Sequence, residues 1–459
     1  MKLAVKKCAI FLLILVIVVG VSACDGKPDI YVPDFDPDTY EPNVEGRIKF
    51  TYSLAENNEA QTMSADSFVE AFMDKYSNVT VDKDYTGNIP AKISSGSIGD
   101  VFFFNEVSAY DYAVTQNALM PLSAYLTPFK IDIGDVYKGI YQLGMINGEL
   151  YYVSRDYNHM MFVYNKSAVI EANLTNEIKA DWTWEQFQNY VVQLTKKNDD
   201  GTVSQVGAKM DLGYSPIYTT FLEAYVDSEY WCDTEEKKIT FIDPNGLVLQ
   251  GIREALALAR DGYIHAGTVP DSMASSYANL NDHNYVFSAT VYPSIHNIGQ
   301  KYDTAGIQWD FINFPNFEHP SIGCGSSGLG VYNRTSNPDT AAALALFLYT
   351  PEGQEGMHGQ RGGSVPLLES MKDSTSWRYP NDEEWKDKNW DAFVYNALEA
   401  STVGQVACRM PNAVATLLDT TFKTVIKNAL NNEASLDSGL AQLETQCNQL
   451  WERIAAASE

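Results

Sequence analysis

Positive charge is scarce in this 459-residue sequence: 32 lysines and arginines stand against 59 aspartates and glutamates, a formal net charge of −27. Nucleic acid rewards basic patches, so it is a poor partner for such a chain. Histidine is scarce too, with six in all, and they form no metal-ligand spacing. Of six cysteines, only Cys232, Cys324, Cys408 and Cys447 lie beyond residue 24. Their wide spacing suits neither a zinc site nor a dense disulfide framework, which favours buried free thiols and leaves one or two disulfides as the alternative. No Gly-x-Ser-x-Gly or P-loop pattern appears, and no acidic pair sits in a recognisable catalytic motif. Beyond the first 20 residues no run is long and apolar enough to cross a bilayer, residues 341–349 being the longest candidate. The expectation is a protein without enzymatic activity, metal or cofactor.

What is present begins at the N-terminus. Lys2, Lys6 and Lys7 precede an apolar run from Ala9 to Val19 and the tetrapeptide Val21-Ser22-Ala23-Cys24. A charged start, a short apolar core and small residues at a cut site are the marks of a secretory signal. The ending resembles the lipobox of bacterial lipoproteins, which implies cleavage before Cys24 and lipidation of that cysteine. An ordinary secretory signal with an incidental cysteine is the weaker alternative. Residues 1–23 are therefore expected to be removed, and losing three lysines takes the net charge to −30. The mature protein is expected on the extracytoplasmic face of the cell membrane, held there by acyl chains, since an acidic chain is repelled by anionic lipid. Residues 24–45 are acidic and rich in proline, which reads as a solvated tether, with the folded body starting near Gly46.

From there strand-like and helix-like pieces alternate. Residues 47–52 alternate apolar and polar as a half-buried strand does, and residues 64–76 put Phe68, Val69, Phe72 and Met73 on one helical face. Residues 100–104 form a continuous apolar run, as in a strand covered on both faces. Residues 161–164 read as a further strand. Thr183 and Gln186 form a capping box, and Asn198-Asp199-Asp200-Gly201 reads as a hairpin turn rather than a calcium loop. Helices are expected over residues 294–304, 338–349 and 436–454. This order argues for an α/β fold with mostly parallel sheets, and the length suffices for two domains.

The landmarks also fall in a recognisable order. Ile93-Ser94-Ser95-Gly96 precedes Gly99-Asp100-Val101, and Asn117-Ala118-Leu119-Met120-Pro121-Leu122 follows. Then come Ile146-Asn147-Gly148-Glu149-Leu150-Tyr151-Tyr152-Val153-Ser154-Arg155-Asp156, Val163-Tyr164-Asn165-Lys166 and Trp182-Thr183-Trp184-Glu185. Ser336-Asn337-Pro338-Asp339-Thr340-Ala341-Ala342, Thr350-Pro351-Glu352-Gly353-Gln354 and Gly363-Ser364-Val365-Pro366 close the series. From about Gly46 to the C-terminus the chain resembles the extracellular solute-binding proteins, family 1, of ABC importers, the maltose-binding-protein-like group. It departs in two places. Tyr285-Val286-Phe287-Ser288-Ala289 lacks a Gly-Lys usual in that family, and Ser154 replaces a proline.

The resemblance implies a two-lobed periplasmic-binding-protein-like (class II) fold with a hinge and an interlobe cleft. Lobe 1 would comprise residues 46–154 plus 330–368, and lobe 2 residues 157–322 plus 375–459. Crossings would lie near residues 155–159, 323–330 and 369–374. The four glycines of the second crossing suit hinge rotation, or simply a passive turn. By family position the ligand-binding candidates are Glu56, Phe104, Asn105, Arg155, Asp156, Asn158, Trp231, Tyr292, Arg361, Arg409 and Asn412. Phe104 reads equally as core, and Arg155 with Asp156 reads nearly as well as a structural ion pair. Trp231, flanked by polar residues, is the strongest candidate for a sugar-stacking face, on the ground that it escapes full burial. Trp182 and Trp184 are assigned to packing. The implied partners are a small solute, first a neutral mono- or oligosaccharide, and the permease subunits of an importer, with the binding protein itself a monomer. A surface glycan-binding or sensor-feeding protein is the alternative, and a glycoside hydrolase the more distant one.

Overall fold

The computed structural model describes residues 30–55, 58–175, 178–319, 321–359, 364–378, 385–397, 401–402, 406 and 408–458. Cys24, Glu56 and Arg361 lie outside the described residues.

Two sheets of the same design carry the molecule. In the first, the strand order is Val79–Asp84, Gly46–Thr51, Val101–Asn105, Ser327–Val331, Val153–Ser154. The first three run parallel, and Ser327–Val331 is antiparallel to both of its neighbours. The Val101–Asn105 strand shows why an unbroken apolar run is needed here. Val101 and Phe103 point into one core cluster, Phe102 and Phe104 into another on the opposite face, because side chains alternate along a strand. The second sheet orders Ile264–His265, Val203–Lys209, Tyr285–Thr290, Met161–Asn165 and Trp309–Asn313. Again three strands are parallel and the Met161–Asn165 strand opposes its neighbours.

Helices cover both sheets. Glu59–Lys75 buries Phe68, Val69 and Phe72 on lobe 1. Trp184–Leu194 begins at the Thr183/Gln186 capping box, and Trp182 and Trp184 are buried, as their assignment to packing requires. Gly201 takes a positive φ at the tip of the expected hairpin, where Val203 pairs with Lys197. The last two helices, Asn412–Asn431 and Ser435–Ser458, pack on each other and on lobe 2 through Leu418, Phe422, Leu440 and Leu443. The thiols at Cys232, Cys324, Cys408 and Cys447 are buried, and among the described residues none is in a disulfide. Among the described residues no helix is long and apolar enough to cross a membrane.

A short ladder joins the lobes beside one buried apolar cluster that runs from Val101 and Phe103 of lobe 1 to Val163 and Phe311 of lobe 2. Asn158–His159 pairs antiparallel with Cys324–Gly325, and the Arg155 and Met160 amides donate to the Ser327 and Gly323 carbonyls at 2.8 and 2.7 Å. None of the glycines at 323, 325, 328 and 330 has a positive φ. Close approach, not rotational freedom, accounts for two of them. A Cβ on Gly323 would stand 2.0 Å from the Pro216 carbonyl oxygen, and one on Gly328 would stand 2.2 Å from that of Val153.

One segment differs from expectation. Residues 30–45 do not stand off in solvent: Tyr31, Phe35, Tyr40 and Val44 pack on the lobe 1 core. The acidic, proline-rich composition conceals four apolar anchors among the polar residues.

Candidate functional site

The Val101–Asn105 strand ends at the edge of lobe 1 facing lobe 2, and the chain turns at once into the 3-10 segment Glu106–Ser108. That turn presents Glu106 and Val107 across the interlobe gap, at the carboxyl end of a parallel strand, where open α/β sheets place their ligands. Opposite stand two helix starts of lobe 2. Ser215–Leu222 opens with Pro216 in its first turn, a position where proline's missing N–H costs nothing. Its Ser215, Tyr218 and Thr219 face the gap, as do Asn412, Thr416, Asp419 and Thr420 of Asn412–Asn431. With Cys324 from the hinge, Trp231, Val406 and Met410, these residues enclose a cavity of about 190 Å³. Larger, more open grooves around Asp310 and Asp339 draw on a single lobe, and one between Val114–Thr115 and the end of the last helix spans both lobes without reaching the hinge.

The cavity has an apolar floor and a polar rim. Trp231 is fully buried, stacks on Phe241 at 6.0 Å, and donates its indole N–H to Glu223 Oε1 at 3.2 Å. Burial pushes the Glu223 carboxyl up to about 8, and its Oε2 has no hydrogen-bond partner among the described residues. On the rim, Tyr218 OH donates to Asp419 Oδ1 at 3.2 Å, and Thr416 Oγ1 donates to Asn412 Oδ1 at 3.1 Å. Burial also pushes the Glu106 carboxyl up to about 7. The lining residues include no lysine, arginine or histidine.

One bond bridges the lobes beside the cavity. The Asn412 amide, at the N-terminus of the 20-residue helix, donates to Asp111 Oδ1 of lobe 1 at 3.2 Å. Burial raises the Asp111 carboxyl, and the bond to Asn412 opposes that shift.

Of the candidates read from the sequence, Trp231 and Asn412 line the cavity. Trp231 does so with 0% exposure, so the expectation that it escapes burial fails: Phe241 covers one face and Glu223 satisfies its N–H. Phe104 is core, packed against Phe102, Tyr112 and Tyr152. Asn105 is exposed at the strand end. Arg155 and Asp156 form a buried pair at 2.6 Å, and Arg155 Nη1 also donates to Tyr52 OH and Gln61 Oε1. They brace the hinge behind the cavity rather than lining it. Asn158 pairs in the hinge ladder through its backbone, and its side-chain Oδ1 is buried with no hydrogen-bond partner among the described residues. Tyr292 is buried among Trp377, Trp390 and Phe393, with its hydroxyl on the Trp377 carbonyl. Arg409 is half-buried and outside the lining, although its neighbour Met410 is within it.

Sequence reading missed Glu106, Tyr218, Thr219, Thr416 and Asp419. A signal was there for two of them. Asn412, Thr416, Asp419 and Thr420 fall at i, i+4, i+7 and i+8 of one helix and so share a face. Among the described residues no group of His, Cys, Asp and Glu could hold a metal.

Known proteins agree with this geometry. A family model described as bacterial extracellular solute-binding protein matches residues 65–389. No curated protein matches the sequence. Among solved structures, the sugar-binding protein MalE of Xanthomonas citri superposes with a TM-score of 0.70 at 15% identity, over 89% of this chain and 98% of that one. An ABC substrate-binding protein of Listeria monocytogenes in complex with cycloalternan gives 0.62 at 16%, over 88% and 99%. An ABC transporter solute-binding protein of Thermotoga lettingae bound with alpha-D-tagatose gives 0.60 at 16%, over 89% and 100%. At such identities the likeness is one of fold, the two-lobed α/β fold. Together with the family match over most of its length, this places the chain in the bacterial extracellular solute-binding protein family.

Proposed function

We propose that the protein captures a small neutral saccharide in the interlobe cavity and releases it unchanged to the permease of an ABC importer. In this reading it is anchored outside the cell membrane by lipid on Cys24. The observation that carries the ligand site is the cavity itself, which takes its walls from both lobes and the hinge, so that filling it rewards closure. Its chemistry suits a sugar. Val107 and Ala415 offer partly exposed apolar surface above the buried Trp231, while Glu106, Asn412, Thr416 and Asp419 offer hydrogen-bonding groups at the rim. A volume of about 190 Å³ falls below the ~300–1,000 Å³ of drug-sized pockets, which favours a single ring over a long chain. Two carboxylates and no cationic group in the lining disfavour phosphorylated or acidic sugars.

Titration calorimetry over a panel of mono- and oligosaccharides tests this. The expected result is micromolar binding of at least one monosaccharide, about −8 kcal/mol, with no product on prolonged incubation. Heats indistinguishable from buffer across the whole panel would refute the sugar assignment, and turnover would refute the binding-only assignment.

A further inference from the structure

The segment between the proposed anchor and the folded body is itself part of lobe 1. Its attachment centres on Asp339, in the first turn of the Pro338–Leu346 helix, where the helix dipole favours a carboxylate. Tyr40 OH donates to Asp339 Oδ2 at 2.8 Å, Tyr125 OH to Oδ1 at 2.9 Å, and the Asn43 amide to Oδ2 at 2.8 Å. Phe35 stacks on Tyr40 at 3.8 Å and meets Tyr125 edge-on at 5.0 Å. At one end the Tyr31 amide donates to the Asn333 carbonyl at 2.7 Å, and at the other Glu45 exchanges hydrogen bonds with Thr340 through both backbone groups. Burial and Asp339 together raise the Tyr40 phenol to about 12, so it remains a donor throughout the physiological range.

We propose that residues 30–45 are a strap that fixes the Asp339 pole of lobe 1 close to the membrane, leaving only the five residues between Cys24 and Ile30 to span the distance. The inference rests on the reading of Cys24 as the lipidated residue. Fully extended, the six Cα–Cα steps from Cys24 to Ile30 reach at most about 20 Å, whereas the 22 steps from Cys24 to Gly46 would reach about 75 Å. The strap thus converts a swinging tether into a short, directional mount. A short mount raises the effective concentration of the body at a permease in the same membrane and restricts the faces it can present.

The test uses the full lipidated chain in liposomes, with a donor dye on a cysteine placed at exposed Ser336 and an acceptor in the lipid surface. The buried native thiols leave that cysteine selectively reactive. Strong energy transfer is expected with the strap intact. Asp339→Ala, and more mildly Tyr40→Phe, should lower the transfer at least twofold and open residues 30–45 to protease. Sugar binding by each variant checks that the lobes still fold. Equal transfer and equal protease resistance in intact and Asp339→Ala proteins would overturn the strap. Absence of an acyl chain on Cys24 by mass spectrometry would instead overturn the anchor on which it rests, with the strap's protease resistance then standing alone as a soluble feature.

Discussion

Glu106 occupies the first turn after a buried strand, facing a cavity whose other carboxylate is Asp419. A sugar hydroxyl donates best to an ionised carboxylate, so ligand binding should favour ionised Glu106. With its pKa near 7 in the free protein, affinity should weaken as pH falls below about 7, and Glu106→Gln should flatten that dependence; calorimetry at pH 5.5, 7 and 8.5 reads both. Glu223 gives a stability signature instead. Its folded pKa of about 8 lies above the ~4.3 of an unfolded glutamate. The native state therefore holds the extra proton, and this group's contribution to stability is full below about pH 4 and declines as pH rises toward 8. Glu223→Gln should remove that part of the slope and raise the melting temperature at pH 9, an effect of roughly 1–3 kcal/mol. Trp231→Ala, which empties the floor of the cavity and leaves Glu223 without its indole donor, should cost ~3–5 kcal/mol by denaturant titration. Trp231 also shows where sequence reading fails at this scale. Polar flanking residues suggested exposure, but the partners that bury it, Phe241 and Glu223, lie about ten residues away on other elements, and no local pattern announces them.

At the scale of elements the sequence was far more legible. The strand at residues 101–105, the Thr183/Gln186 cap, the 198–201 hairpin and the C-terminal helices all follow from period, caps and turn residues, which act locally. The strap was not legible, because its anchors at Tyr31, Phe35 and Tyr40 follow no helical or strand period and their receiver, Asp339, is some 300 residues away. The glycines of the second crossing were legible as special, but the reason was not: only the fold shows the Pro216 and Val153 carbonyls they must admit. The same scale holds the interlobe clasp. Asp111 receives the first amide of the Asn412–Asn431 helix from the opposite lobe, a charge at a helix N-terminus worth about 0.5–2 kcal/mol. Asp111→Ala should therefore shift the equilibrium toward open forms. Small-angle scattering should show a larger radius of gyration for the unliganded variant, and its apparent Kd should rise about 2–10-fold. An unchanged radius and Kd would mean the clasp does not bias closure.

For the whole molecule, two α/β lobes of matching strand order are joined through a short ladder, and a cavity between them draws on both lobes and the hinge. Of the family-derived candidates within the described residues, Trp231 and Asn412 line that cavity and the rest lie in core, hinge or surface, because family position fixes the backbone location of a residue but not the direction its side chain takes in a sequence about 15% identical to its structural neighbours. The net charge of −27 disfavours contact with anionic lipid. The central claim is that the ligand is a saccharide bound between the lobes. It is tested most directly by thermal shift with a monosaccharide panel on the natural protein and on Thr219→Trp, which fills the cavity from the lobe 2 side. A ligand at 100 times its Kd should stabilise the natural protein by about 2.7 kcal/mol and leave the blocked variant unmoved. A flat panel, or a shift that survives in Thr219→Trp, would contradict the account.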